Sequence, residues 1–322
     1  MEFSLIDMIR ARTRAVRDDV PVGIGDDGAV LRVPAGQELV AAIDTMVEGV
    51  HFLPGTAAAD LGWKALAVNL SDLAAMGATP AWALLALTMP RADAAFVRDF
   101  ADGFAQLAQR HGVALVGGDT TSGPLSISVA VHGLVPPGVA LQRAGAQAGD
   151  VVMVTGTLGD ALAGLYALRD PPHDDPPRAA LRAGLIERLT RPVPRVAAGI
   201  ALRGLASACI DISDGLLADL GHICVASGVG AELDAPLLPR SPALRELHGE
   251  AQSLEFALGG GDNYELCFTV PPAQVAQVLA DLGRVGCGAT RIGRIVVGDG
   301  VRVRDAQGQW LTPKMQGWEH FA

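Results

Sequence analysis

The chain has 322 residues and a mass of 33.2 kDa, a length that predicts two domains. Half of the residues are hydrophobic and the mean hydropathy is +0.31, which excludes a chain too polar to build a core. The net charge is −10, whereas nucleic-acid binders typically carry a basic surface, so we expect no nucleic-acid partner. No apolar run reaches the roughly 18 residues of a membrane span. No basic segment followed by an apolar one opens the chain, so we expect a cytoplasmic protein without a membrane partner.

The cysteines and lysines limit the kinds of metal and phosphate site that the chain can form. The four cysteines form no close pair and no metal-binding spacing, which predicts buried thiols in a reducing compartment. They are Cys209, Cys224, Cys267 and Cys287. Lysine occurs only as Lys64 and Lys314, so binding of phosphate groups cannot depend on a cluster of lysines.

The first half of the chain predicts a mixed α+β domain. The apolar run Leu39–Ile43 predicts a strand that ends at Asp44 and places this carboxylate at the strand exit. Two helices are predicted over 58–76 and 91–111, the second of them ending at Gly112. Strands over 113–116 and 125–135 flank a predicted turn at Gly117–Thr121.

A domain junction is predicted between Pro136 and Asp150, where prolines, glycines and polar residues interrupt the pattern. It separates an α+β domain over 1–138 from an α/β domain over 149–322. Strands over 151–155, 208–212 and 265–270 and helices over 160–168, 215–227 and 274–282 are predicted in the second domain.

The aspartates lie where α/β proteins build ligand sites, at predicted strand ends and glycine turns. Asp27 lies in the glycine-rich segment Gly23–Gly28, and Asp119 follows a glycine pair whose backbone N–H groups could approach a phosphate. Asp211 and Asp214 bracket a strand-to-helix junction, although Asp214 could equally be a plain helix N-cap.

Asp72 is predicted to lie within a helix, on the inward stripe. It shares that stripe with Leu61, Ala65 and Val68, whereas Lys64 and Ser71 are expected on the wetter side. An inward carboxylate costs several kcal/mol unless it is paired or binds a cation. A hydrogen-bonded buried aspartate is the alternative.

Two nucleotide-binding motifs are excluded. Gly23-x-Gly25-x-x-Gly28 matches the dinucleotide pattern, but Pro21 precedes it and Pro34 follows, so the required strand and helix are absent. No Gly-x-x-x-x-Gly-Lys-Ser/Thr loop, the phosphate-binding loop of many nucleotide-binding enzymes, occurs.

The many aspartates and few lysines instead favour a site in which Mg²⁺ bridges phosphate groups. Arg143 could contact those phosphates or be an ordinary surface arginine.

The order and spacing of these motifs resemble the thiamine-monophosphate kinase family, of the aminoimidazole ribonucleotide synthetase superfamily. The resemblance covers nearly the whole chain, to the closing residues Gly317–Phe321. The motifs are Gly23–Asp27 (GIGDD), Asp44–Phe52 (DTMVEGVHF), Asn69–Ala78 (NLSDLAAMGA), Gly117–Thr121 (GGDTT) and Asp211–Leu216 (DISDGL).

The resemblance implies ATP-dependent phosphorylation of thiamine monophosphate to thiamine diphosphate, assisted by several Mg²⁺ ions. It also implies a two-domain fold whose N-terminal α+β domain pairs in a homodimer and whose C-terminal domain is α/β. Carried over by position, the metal ligands are Asp27, Asp44, Asp72, Asp119, Asp211 and Asp214. The ATP-binding residues are Gly118, Asp119, Arg143 and Ser213, and the substrate-binding residues are His51, Asp262 and Trp318. On residue type alone, His51 could be a surface histidine and Trp318 a packing residue.

No general base is expected, because the acceptor is a phosphate monoester that is already largely a dianion at neutral pH. The family commonly reads Gly-Gly-Glu/Asp-Asp-Tyr-Glu-Leu where this chain has GGDNYEL over Gly260–Leu266. Asn263 therefore cannot offset cation charge, and Asp262 is the shorter acid. Ala42-Ile43 replaces hydroxyl residues before Asp44, which leaves only backbone carbonyls as possible metal ligands there.

Three other functions fit clustered aspartates. A related ATP-using synthetase is one, although the selenide-using sibling would need a reactive cysteine near the N-terminus and the first cysteine here is Cys209. A metal-dependent phosphohydrolase and a non-enzymatic cation binder are the others. The kinase interpretation requires that the acidic side chains converge around divalent cations.

Overall fold

The computed structural model describes residues 2–13, 15, 17–170 and 175–319. The chain divides into two compact units, one of Met1–Leu73 with Ala78–Val139 and the other of Ala74–Gly77 with Ala140–Ala322. Each unit carries its own sheet and its own helices, so the predicted α+β and α/β fold class is confirmed. Of the predicted closing motif, His320 and Phe321 lie outside the described residues.

The first unit is a four-stranded sheet with helices packed against it. The strands occur in the order β1-β4-β2-β3, with β1 and β2 antiparallel to β4 and β3 parallel to β2. The elements are α1 (Glu2–Arg12), β1 (Glu38–Val47), α2 (Ala58–Ala75), β2 (Thr79–Met89), α3 (Ala94–His111), β3 (Ala114–Ser122) and β4 (Ser126–Val135).

Helices α2 and α3 approach each other more closely than side chains would allow. A Cβ on Gly62 would lie 2.0 Å from the carbonyl oxygen of Phe100, and one on Gly103 would lie 1.9 Å from that of Ala59. Glycine is therefore required at both positions. Gly112 ends α3 in the left-handed conformation, which confirms the predicted stop.

Three sequence-based expectations for the first unit are wrong. Asp44 does not lie at a strand exit, because β1 continues to Val47 and Asp44 pairs with Val129. Gly117–Thr121 is not a turn, because these residues belong to β3 and pair with β2. Strand β2 was not predicted, since its alanine- and leucine-rich sequence is compatible with a helix and only pairing on both sides makes it a strand.

A fourth expectation, that one side of α2 faces solvent, is also wrong. Lys64 and Ser71 do not face solvent but are 4% and 0% exposed, because this side of α2 is packed as well. From Leu61 to Leu73, Asp72 is the single residue that is not buried. Asp72 therefore marks the place where a buried helix opens towards solvent.

The second unit is a six-stranded sheet in the order β10-β7-β9-β5-β8-β6, antiparallel except between β10 and β7. Its strands are β5 (Val151–Thr155), β6 (Ala208–Asp211), β7 (Gly230–Asp234), β8 (Leu266–Val270), β9 (Ala289–Val296) and β10 (Val301–Arg304). Its helices are α4 (Asp160–Arg169), α5 (Pro176–Thr190), α6 (Val196–Ala201), α7 (Leu216–Ser227), α8 (Pro242–Gly259) and α9 (Val275–Arg284).

The core of the second unit surrounds its central strands. Every residue of β5 and β8 is buried, as expected for strands covered on both faces. All four cysteines are buried free thiols, as predicted, and burial raises the pKa of Cys209 and of Cys267. Within the described part of the chain, no helix combines the length and the apolar character needed to cross a membrane.

Candidate active site

The junction between β6 and α7 places two of the predicted acids. Strand β6 ends at Asp211, which is 5% exposed and pairs with Leu266 of β8. Gly215 then turns the chain into α7 with a φ of 129°, and a Cβ there would lie 2.9 Å from the backbone of Gly259. The close approach of the 259–261 backbone therefore fixes the shape of the turn that carries Asp214.

Asp219, which the sequence analysis missed, holds this turn from the first turn of α7. Its carboxylate accepts the backbone N–H groups of Asp214 at 3.1 Å and Gly215 at 3.0 Å. The N-cap of α7 is Gly215, and no side chain caps it, so the alternative that Asp214 is the N-cap is wrong. Burial, followed by the charges of Asp211 and Asp214, raises the pKa of Asp219 to about 7.

Two remote segments of the second unit meet at this turn. The backbone N–H of Asp262 donates to the Ser213 carbonyl at 2.7 Å, and that of Trp318 donates to the Asp214 carbonyl at 2.9 Å. The structure thus brings together five of the predicted site residues, namely Asp211, Ser213, Asp214, Asp262 and Trp318. Trp318 is 56% exposed.

Asn263, one of the departures from the family pattern, is a buried structural residue. Its Oδ1 accepts the Gly159 N–H at 2.8 Å and its Nδ2 donates to the Gly260 carbonyl at 2.6 Å. A carboxylate could accept the first hydrogen bond but could not donate the second. The amide at this position therefore supports the loop backbone.

Glu265 ends the same loop and was also missed. It is fully buried, and Thr155 Oγ1 donates to its Oε2 at 2.6 Å. Arg188 donates to Oε1 at 2.8 Å, and Arg195 makes a two-pronged ion pair with both oxygens. Burial disfavours the charged form of Arg195, but the hydrogen bond and charge of Glu265 outweigh it and raise the pKa of the guanidinium. No sequence pattern distinguishes Glu265 from an ordinary strand residue.

In the first unit, Asn69 holds the backbone of one predicted acid, Asp44. Its Oδ1 accepts the backbone N–H of Asp44 at 2.9 Å, which ties β1 to α2. Asp72 lies three residues further along α2, on the same face as Asn69. Asp44 and Asp72 are both half-buried. The contact through Asn69 therefore brings the β1 backbone at Asp44 against the face of α2 that carries Asp72.

The turn after β1 fixes the orientation of His51. The backbone N–H of Val47 donates to His51 Nδ1 at 3.0 Å, while the backbone N–H of His51 donates to the Val47 carbonyl at 2.9 Å. Lys64 Nζ approaches the His51 carbonyl at 3.4 Å. Because Nδ1 accepts a hydrogen bond, the neutral imidazole carries its proton on Nε2 and can donate it to a ligand.

Asp119 and Asp44 lie on opposite edge strands of the sheet. Asp119 is exposed and pairs with Ala86, whereas Asp44 pairs with Val129. Two strands lie between them, so their backbones are separated by roughly 14 Å. Gly118 could not be any other residue, since a Cβ there would lie 1.8 Å from the Leu85 carbonyl oxygen. The β3 backbone directly before Asp119 therefore carries no side chain.

The remaining predicted residues lie in exposed segments. Asp27 is exposed in the loop closed by the bridge between Val22 and Val30, and its backbone N–H donates to the Asp26 carboxylate at 2.9 Å. Arg143 is exposed, and its carbonyl accepts a hydrogen bond from the Ser227 hydroxyl at 3.3 Å.

The donor set fits Mg²⁺ shared with phosphate groups better than a preformed protein cage. Among the residues that the structure describes, no three His, Cys, Asp or Glu side chains form a cluster that could hold a metal by themselves. Mg²⁺ is typically held by one or two carboxylates together with substrate phosphates and water. Burial is the main cause of the raised pKa of Asp219, and the neighbouring charges of Asp211 and Asp214 add to it.

Comparison with known proteins identifies the family. The N-terminal domain of AIR synthase related protein matches residues 25–135, and the C-terminal domain of that family matches residues 147–306. The thiamine-monophosphate kinase of Salmonella typhimurium is 48% identical over 323 residues, covering 100% of this chain and 98% of its own. The chain belongs to the thiamine-monophosphate kinase family.

Solved structures of this family share the fold. The thiamine-monophosphate kinase from Stenotrophomonas maltophilia K279a is 50% identical, with a TM-score of 0.88 over 96% of this chain and 98% of its own. AaThiL complexed with AMPPCP and TMP is 35% identical, with a TM-score of 0.78 over 99% of this chain and 97% of its own.

Proposed function

We propose that this protein transfers the γ-phosphoryl group of ATP to the phosphate of thiamine monophosphate, giving thiamine diphosphate and ADP. Relatives named for this activity match the chain over its full length, and the AaThiL complex holds AMPPCP, an ATP analogue, together with TMP. The observation that carries the proposal is the meeting of Ser213, Asp262 and Trp318 around the Asp211–Asp214 turn.

The reaction needs no general base from the protein. The second pKa of a phosphate monoester is about 6, so the acceptor is already a dianionic nucleophile at neutral pH. The barrier is the approach of one polyanion to another, and catalysis consists of positioning and charge neutralisation. The carboxylates of this chain neither lose a proton nor become phosphorylated in this mechanism.

We assign the charge neutralisation to Mg²⁺ ions held by the aspartates, which would lower the repulsion between the two phosphate groups. The proposed ligands are Asp27, Asp44, Asp72 and Asp119 of the first unit and Asp211 and Asp214 of the second. Carboxylate oxygens are the ligands that Mg²⁺ prefers, which supports the assignment.

The nucleotide contacts are assigned to backbone and cationic groups. Gly118 and Asp119 lie on β3 and are exposed, and the backbone of Gly118 carries no side chain that would keep a phosphate away. Arg143 is exposed and supplies positive charge. Ser213 lies in the turn between Asp211 and Asp214. For the acceptor, His51 donates from Nε2 to a phosphate oxygen, and Trp318 offers an aromatic face to the heterocycles.

The direct test incubates the protein with ATP, Mg²⁺ and thiamine monophosphate and quantifies thiamine diphosphate and ADP. We expect equal amounts of both products, none in EDTA, and a rate that falls below about pH 6 as the acceptor becomes protonated. Thiamine itself serves as the matched control. It lacks the phosphate, and its alcohol would need a base, so we expect no product. Release of inorganic phosphate without thiamine diphosphate would instead indicate a phosphohydrolase.

We further propose that the first unit pairs with a second copy of the chain through the open face of its sheet. Ile43 on β1 is 64% exposed and Leu84 on β2 is 36% exposed, and both are in register with Ala130 of β4 between them. An apolar row across three strands is typical of a covered surface. Light scattering should give a dimer that Ile43→Asp dissociates, while Val297→Asp, at an 88% exposed site in the second unit, leaves it intact.

A further inference from the structure

The loop that carries Asp262 has an unusual backbone. Among the described residues, Asp262 and Tyr264 are the two non-glycine residues with positive φ, at 60° and 50°. Side chains rarely adopt this conformation, which persists where the surrounding structure forces it and which is concentrated at ligand sites. Favourable contacts of the loop must therefore offset the free-energy cost of this backbone conformation.

Backbone and side-chain contacts hold the loop on both sides of the strained residues. Asp262 N–H donates to Ser213, and Tyr264 N–H donates to the Ile212 carbonyl at 2.9 Å. Between them, Asn263 is buried and uses both ends of its amide. These contacts fix the backbone, but none of them fixes the direction of the Asp262 carboxylate.

The side chain of Tyr264 contacts this carboxylate directly. Its hydroxyl donates to Asp262 Oδ1 at 2.9 Å, and the residue is only 9% exposed. With its ring packed and its backbone held, the hydroxyl is a fixed donor. The two strained residues thus place a hydrogen-bond donor and the carboxylate that accepts from it two positions apart in the chain.

We propose that Tyr264 is a positioning residue, whose hydroxyl holds the Asp262 carboxylate in the orientation that meets thiamine monophosphate. The inference rests on the proposed function. A carboxylate would repel the phosphate of this substrate, so Asp262 meets the cationic thiazolium or the amino group of the pyrimidine. Misorienting it should weaken substrate binding and leave the chemistry at the phosphate largely intact.

The experiment measures steady-state kinetics of Tyr264→Phe, which removes only the hydroxyl. We expect the KM for thiamine monophosphate to rise about tenfold, with kcat within about twofold of wild type and the KM for ATP unchanged. The chain has one other tyrosine, Tyr166, which stacks on Phe256 with ring centroids 5.2 Å apart. Tyr166→Phe is the matched control and should leave all three constants unchanged.

A double-mutant cycle separates positioning from general support of the loop. In an Asp262→Ala background, Tyr264→Phe should have no further effect on the KM for thiamine monophosphate, because the group it orients is gone. A normal KM in Tyr264→Phe, additive effects in the double variant, or equal rises in the KM of both substrates would overturn the proposal. Absence of thiamine diphosphate with the wild-type protein would reject the proposed function itself.

Discussion

Replacing Glu265 by glutamine removes the negative charge that two guanidinium groups share in the interior of the second unit. The Glu265 side chain is 0% exposed, and those of Arg188 and Arg195 are 25% and 21% exposed. Glutamine would direct an N–H₂ group at one of these donors or at the Thr155 hydroxyl. The variant would therefore lose hydrogen bonds and leave buried positive charge without its counter-ion.

Removing one partner from a buried ion pair costs about 3–5 kcal/mol of the free energy of unfolding. In a domain of this size, that loss lowers the melting temperature by roughly 10 °C. Glu232 provides a matched control, since it also lies between two arginines, Arg294 and Arg302. Those arginines are 53% and 56% exposed, so Glu232→Gln should cost only about 0–1 kcal/mol.

Urea denaturation and thermal melting of the wild type and both variants measure the difference. The reasoning requires Glu265→Gln to lose at least about 2 kcal/mol more than Glu232→Gln. Equal losses in the two variants would refute it, because burial of the ion pair would then not determine its contribution.

Three further predictions concern the proposed site. Asp72→Asn should lower the rate of thiamine diphosphate formation by about 10²-fold or more while leaving the melting temperature unchanged, since it removes a cation ligand at a half-buried position. In metal-free protein the raised pKa of Asp219 favours its neutral form, so its contribution to stability is complete below about pH 4 and is lost as pH rises towards about 7. Asp219→Asn, measured by urea denaturation in EDTA, should therefore gain roughly 2–4 kcal/mol over wild type between pH 4 and pH 8. His51→Gln, which keeps a donor near the Nε2 position, should retain a higher kcat/KM than His51→Asn, which keeps only the acceptor for the Val47 N–H.

Each of these has its own control. Asp99→Asn, at an exposed position on α3, should leave activity unchanged, and full activity of Asp72→Asn at limiting Mg²⁺ would contradict the metal assignment. A stability difference between Asp219→Asn and wild type that stays constant with pH would show that Asp219 does not titrate in this range. If His51→Asn is the more active variant, His51 acts through its contact with Val47 and not on the substrate.

Local patterns predicted several elements well. The stop of α3 at Gly112 depends on a single residue whose left-handed conformation is almost specific to glycine. The prediction that β1 ends at Asp44 was wrong, because Thr45, Met46 and Val47 have no apolar alternation that marks them as a strand. Their pairing with Ser128, Ile127 and Ser126 of β4 makes them one. Strand β2 was missed for the same reason, since pairing on both sides decided its conformation.

The sequence by itself identified the aspartates and glycines of the short motifs, because their residue types and spacing carry the chemistry of the family. It determined neither Asp219 nor Glu265 as supports, because any acidic residue in a helix or strand has the same local signature. Only the tertiary structure decided that Asp262 and Trp318 meet at the Ser213–Asp214 turn, since backbone hydrogen bonds from Asp262 to Ser213 and from Trp318 to Asp214 join segments that are remote along the chain. Such contacts depend on how whole elements pack, and local sequence does not encode this packing in a form that can be read residue by residue.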